Sequence, residues 1–105
     1  MKTLNQKHIE KLLQDNGFEL REMGEKRKLL TVSNKVTSCL ISFSLDMTFL
    51  QYYSNEKINF IEEIDNGMSD KEIIQTVKDF LKKVKRIQKI ELKIVALKNK
   101  LQEDL

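Results

Sequence analysis

A chain of 105 residues is one domain, with a core that is small for its surface. Hydrophobic residues make up 40% and charged residues 33%, which excludes a disordered chain and predicts a densely charged surface. The net charge of +3 is too small to imply nucleic acid by itself, but it is unevenly spread: residues 1–68 carry 9 basic and 10 acidic side chains, net −1, while 69–105 carry 10 basic and 6 acidic, net +4.

Residues 3–16 read as a helix. Thr3 is placed to cap it, with Gln6 completing a capping box, and Leu4, Ile9, Leu12 and Leu13 form an apolar face with His8 on its flank. Asn16-Gly17 is a stop signal, because glycine accepts the left-handed conformation at little cost. Four strands follow in this reading. The first is 18–23, with partial alternation. A charged turn at 24–28 leads to the second, 29–33, and Asn34-Lys35 is a tight turn into the third, 36–45. In that third strand Cys39, Ile41, Phe43 and Leu45 share one face, and Ser38, Ser42 and Ser44 fall mostly on the other, as in a sheet covered on one side. Asp46 marks a break. The fourth strand, 47–53, is rich in β-formers, and its adjacent Tyr52 and Tyr53 must face opposite ways, one to the core and one to solvent. Connections this short allow only antiparallel neighbours.

Ile58, Ile61 and Ile64 recur at helical spacing, so the stretch after Ser54 or Asn55 reads as a short helix, ended by Asp65-Asn66-Gly67. A long helix then starts at Ser69, with Glu72 placed to complete a capping box, and runs to the end of the sequence without Gly or Pro. It carries a seven-residue ladder of Ile73, Phe80, Ile87, Ile94 and Leu101. Val77 and Val84 flank the ladder in the first half, with Ile74 and Leu81 widening it. Glu91 and Lys98 take the flanking positions in the second half, where Ile90 and Leu97 appear on the opposite side. Residues 89–94 alternate apolar and polar as a strand would. They read as helix because no Gly, Pro or Asn lies between Asp70 and Lys98, and Lys, Glu, Leu and Ala favour helix.

A helix of about 35 residues is about 52 Å long. A compact domain of this size is roughly 33 Å across. The helix must therefore project, and a projecting apolar seam in water needs a partner, most simply a second copy. The expectation is a single α+β domain over 1–86 (N-terminal helix, four-stranded antiparallel sheet, short helix) and a projecting helical segment over 87–105. That segment would pair as a coiled coil through Ile87, Ile90, Ile94, Leu97 and Leu101.

Signatures of catalysis are sparse. With His8 the only histidine and Cys39 the only cysteine, neither a multi-histidine metal site nor a common zinc set can be assembled. Glu62, Glu63 and Asp65 lack the spacing of a calcium loop, and the three isolated glycines form no phosphate loop. No cofactor and no enzymatic activity are expected. Cys39 has no disulfide partner within the chain and packs as a small hydrophobe. A free thiol fits a reducing compartment, no apolar stretch follows Lys2, and no apolar run is long enough for a membrane span, so a cytoplasmic location is expected.

The sharpest polar feature is basic. Lys78, Lys82, Lys85, Arg86, Lys89 and Lys93 share one face of the long helix, opposite its apolar ladder. Such a stripe is the solvated back of an amphipathic helix, a contact for an acidic protein surface, or a track for phosphates. The functional expectation is a non-enzymatic protein–protein interaction module of adaptor or inhibitor type, acting as a dimer. Its Lys-, Asn- and Ile-rich composition suits a bacterial or mobile-element source. The alternative is a nucleic-acid-binding protein using the basic stripe.

Overall fold

Backbone hydrogen bonding resolves the chain into two helices and five strands in a computed structural model that describes residues 4–24, 26–33, 35–44, 47–54, 59–65 and 67–103. Thr3, Asn34, Leu45, Asp46, Asn55, Ile58 and Asn66, and the side chain of Leu4, lie outside the described residues, and the roles expected of them with them. The elements are α1 (Leu4–Asp15), β1 (Phe18–Glu22), β2 (Arg27–Val32), β3 (Lys35–Phe43), β4 (Thr48–Tyr53), β5 (Asn59–Ile64) and α2 (Asp70–Glu103). The strands form one antiparallel sheet in the order β1-β2-β3-β4-β5. The expected α+β order of N-terminal helix, antiparallel sheet and long C-terminal helix holds, with two corrections.

The sheet has five strands, not four, and the expected short helix is the fifth strand. β5 pairs along its full length with β4, from Thr48↔Ile64 to Tyr53↔Asn59. A short apolar run satisfies both periods: Ile61 and Ile64 sit at helical spacing, but Phe60, Glu62 and Ile64 also alternate with Ile61 and Glu63. The contest is settled at long range. A helix this short is marginal alone, whereas a strand beside β4 satisfies a full row of backbone groups and turns Phe60 and Ile64 toward the core.

α1 ends where expected. Gly17 takes a φ of 89°, and the Asn16 side chain donates to the Leu12 carbonyl at 2.8 Å. Ile9 and Leu13 are buried, while Gln6 turns inward and reaches Glu10 at 3.5 Å. α1 packs on β1, and α2 lies across β3, β4 and β5 on the same side of the sheet. One core forms between the layers from Ile9, Leu13, Phe18, Leu30, Cys39, Ile41, Phe43, Leu50, Tyr52, Ile64, Ile73, Val77, Phe80 and Val84. The other face of the sheet carries the half-buried Leu29, Leu40 and Phe49 and the exposed Tyr53 and Ile61.

A bulge in β3 aligns the central strands with this core. The pairing passes from Leu29↔Leu40 to Thr31↔Val36, so β3 spends more residues than β2 over the same span. Ser38 turns through a φ of 61° there. The Thr37 hydroxyl donates to the Leu30 carbonyl at 2.8 Å and accepts from the Cys39 amide at 3.3 Å. Beyond the bulge Cys39, Ile41 and Phe43 all point into the core, as their alternation predicts.

α2 sets the outline of the molecule. Its 34 residues span about 51 Å at 1.5 Å per residue. The principal extents are 57 × 25 × 25 Å, so the helix runs almost the whole long axis while the sheet occupies part of it. Residues 89–94 are helical. Among the described residues no helix is long and apolar enough to cross a membrane.

Candidate interaction surface

α2 begins at a formed capping box. The Ser69 hydroxyl accepts from the Glu72 amide at 3.2 Å, and the Glu72 carboxylate accepts from the Ser69 amide at 3.4 Å. Asp70 in the first turn lies 2.7 Å from His8 Nε2, which ties the helix start to α1. From there Ile73, Val77, Phe80 and Val84 sink into the core. Phe80 stacks on Phe60 of β5, with ring centroids 5.1 Å apart. Lys83 lies over the same Phe60 ring and 3.9 Å from the Glu62 carboxylate. These contacts tie the proximal half of α2 to β5.

One further anchor lies beyond Val84. The buried Tyr52 hydroxyl donates to Glu91, at 3.1 and 3.0 Å from its two carboxylate oxygens. Burial, then the Glu91 hydrogen bond and charge, push this hydroxyl above its ordinary value of 10, with Gln88 pulling the other way. Past Glu91 the helix leaves the sheet. The dozen residues to Glu103 extend about 18 Å, and Leu92, Leu97 and Leu101 there are 70%, 61% and 66% exposed.

The positions expected to form an interface all lie on α2. Ile87 and Ile94 are half-buried; Ile90, Leu97 and Leu101 are exposed. At 3.6 residues per turn these five form one stripe, turned about 90° around the helix from the buried face of Ile73, Val77, Phe80 and Val84. The stripe points to the β5 side, the side on which Lys83 meets Glu62. At Ile87 the stripe still packs against the core, and it turns away from the core toward Leu97 and Leu101.

The basic residues occupy a third direction. Lys78, Lys82, Lys85, Arg86, Lys89 and Lys93 are all exposed and centre about 160° from the buried face. None of the six takes part in the ion pairs formed among the described residues, where Lys83 alone on this helix bonds Glu62. Basic stripe and apolar seam centre about 110° apart, with Arg86 and Lys93 at the border between them.

Two features escape the sequence. The first is the Tyr52–Glu91 link. Its signal was present, since a buried tyrosine needs a partner for its hydroxyl, but sequence cannot say which residue 39 positions away supplies it. The second is a second apolar side to the distal helix. Leu92 and Val95 face away from the seam and, with Tyr52, Tyr53, Ser38 and Ser54, line an open notch of about 590 Å³. The strand-like alternation of 89–94 is its signal, because period two wound into a helix places Ile90 and Leu92 on opposite sides.

Cys39 is fully buried, and burial pushes its thiol up to about 12, the response of a packed hydrophobe. Among the described residues no three His, Cys, Asp or Glu side chains gather as a metal-ligating group. No protein-family model, no curated protein and no solved structure matches this chain.

Proposed function

We propose that this chain is a non-enzymatic protein–protein interaction module that self-associates through the distal half of α2. The observation that carries this reading is the exposed seam of Ile90, Leu97 and Leu101 on a helix that has left its own sheet. Apolar side chains at alternating three- and four-residue steps are what a second helix buries. In water an uncovered stripe of this kind is an interaction site or a liability to aggregation. Residues 1–86 supply the scaffold and residues 87–105 the contact. The adaptor or inhibitor role, in a bacterial or mobile-element setting and in the cytoplasm, follows from the composition and the free thiol.

Light scattering across a concentration series tests it. The wild type is a dimer, and Ile94→Asp with Leu101→Asp is a folded monomer with an unchanged circular dichroism spectrum. A wild type that stays monomeric at high micromolar concentration overturns the reading.

A second reading draws on the basic stripe, whose six side chains are exposed and outside the described ion pairs. A straight row of cations on one helix suits phosphate contacts along a nucleic acid. It predicts binding to duplex or single strands that falls steeply with salt and weakens when Lys78, Lys82 and Lys89 become Glu. Absence of binding at low ionic strength removes it.

A further inference from the structure

Beside the turn from β2 to β3, on the flank of α2 away from β5, helix and sheet leave a cavity of about 260 Å³. It is lined by Val32, Lys35, Thr37, Leu81, Val84 and Lys85. Its wall is aliphatic at the margin of the core: Val84 is buried, and Val32 and Leu81 are half-buried. The one hydroxyl among the lining residues, on Thr37, donates to the Leu30 carbonyl and has no proton left for a ligand.

The rim is cationic. Lys35 on β3 and Lys85 on α2 are both exposed, and neither takes part in the ion pairs formed among the described residues. A lysine covers apolar surface with its stem and keeps its ammonium in water, so each sets a positive charge at the cavity mouth. No Asp or Glu lines the cavity to neutralise them. Lys78, Lys82 and Lys89 lie within two turns of Lys85 on the same side of α2, which makes the approach positive as well.

We propose that this cavity binds a small carboxylate carried on a compact apolar body. The body packs against Val32, Leu81 and Val84, and the carboxylate lies between Lys35 and Lys85. An inorganic anion gains nothing from the aliphatic wall, and a neutral hydrocarbon gains nothing from the rim. Size narrows the ligand further. A dry cavity of about 150 Å³ holds a benzene ring, so this one takes roughly ten non-hydrogen atoms. An aromatic ring with a short acid side chain fits that volume, whereas a long acyl chain leaves most of its length in water. The site is independent of self-association, because the seam lies on the β5 side of the helix and the cavity on the other.

Titration of isotope-labelled protein with phenylacetate, followed by amide chemical shifts at pH 7 and low salt, tests the proposal. Saturable shifts are expected at Val32, Thr37, Leu81 and Val84, with a dissociation constant of about 1 mM, the range for a ligand this small in a half-open site. Acetate lacks the apolar body and 2-phenylethylamine carries the wrong charge, so each binds at least about tenfold more weakly. Phenylacetamide keeps the shape and loses the charge, and it weakens about fivefold. Lys35→Gln and Lys85→Gln fall on exposed positions, so folding is not at stake, and each weakens phenylacetate about two- to fivefold. Absence of shifts at the four amides at tens of millimolar phenylacetate overturns the proposal. Acetate or phenylacetamide binding as tightly as phenylacetate overturns it as well, and so does unchanged affinity in the two lysine variants.

Discussion

The Tyr52 hydroxyl and the Glu91 carboxylate meet at 3.0 Å across the gap between β4 and α2, and this is where the long helix parts from its sheet. Toward Val84 the helix is held by apolar burial. Toward Leu101 it exposes its apolar side chains. The bond adds a polar anchor one turn or more beyond the last buried apolar side chain of the helix, Val84.

Tyr52→Phe keeps the ring and removes the bond. Glu91 is half-buried and can turn to water, so the cost is about 1 kcal/mol in urea unfolding, below the range of a fully buried charged hydrogen bond. The more telling readout is local. Amides from Gln88 onward exchange faster, while those of Ile73 to Val84 keep their protection.

Alkaline pH weakens the fold through two groups. The folded state raises Cys39 from 9.0 to about 12 and raises Tyr52 above 10. Both groups hold their protons more tightly folded than unfolded, so the unfolded chain releases them first as pH rises. Their contributions are whole below about pH 9 and are lost as the pH climbs through the folded values, starting with Cys39. Urea midpoints at pH 7, 10 and 11 should fall in that order. Cys39→Ala flattens the decline between pH 9 and 11, and an unchanged slope in that variant refutes the assignment.

Phe80 is the largest fully buried side chain on α2, and it stacks on Phe60 at an interplanar angle of 13°. Phe80→Ala removes about 3–5 kcal/mol, a large share of the stability of a small domain. Milder Phe→Leu changes at both positions allow a double-mutant cycle, with an expected coupling of about 0.5–1.5 kcal/mol. Coupling near zero would show that the two rings contribute by burial alone.

Ser38 holds a φ of 61° in the β3 bulge, where its side chain is exposed. A β-branched residue fits this conformation worst and glycine best. Ser38→Val therefore destabilises by about 1–2 kcal/mol, and Ser38→Gly is neutral or slightly stabilising because relief of strain offsets the lost chain entropy. The order of denaturation midpoints, Gly at or above Ser and Ser above Val, checks the bulge without structural work.

Much of the architecture is legible locally. The capping pair Ser69 and Glu72, the stop at Gly17 and the alternation of Cys39, Ile41 and Phe43 all form as their spacing demands. That Tyr52 and Tyr53 face opposite ways needs only strand geometry, whereas which of them enters the core is set by the packing of the sheet. Residues 59–64 were illegible because Ile61 and Ile64 serve both periods, and the β4 edge that decides between them lies several residues earlier in the chain.

Of the candidate surface, the sequence by itself determined membership: which residues lie on the long helix, which are apolar, and which share its basic side. Helical periodicity is a local property, and every one of those relations spans a few turns. Only the tertiary structure decided direction. The seam of Ile87, Ile90, Ile94, Leu97 and Leu101 faces the β5 side because Phe80 stacks on Phe60 and Tyr52 holds Glu91. Those contacts join residues far apart in the chain, and no local pattern encodes the angle at which a helix is laid on a sheet.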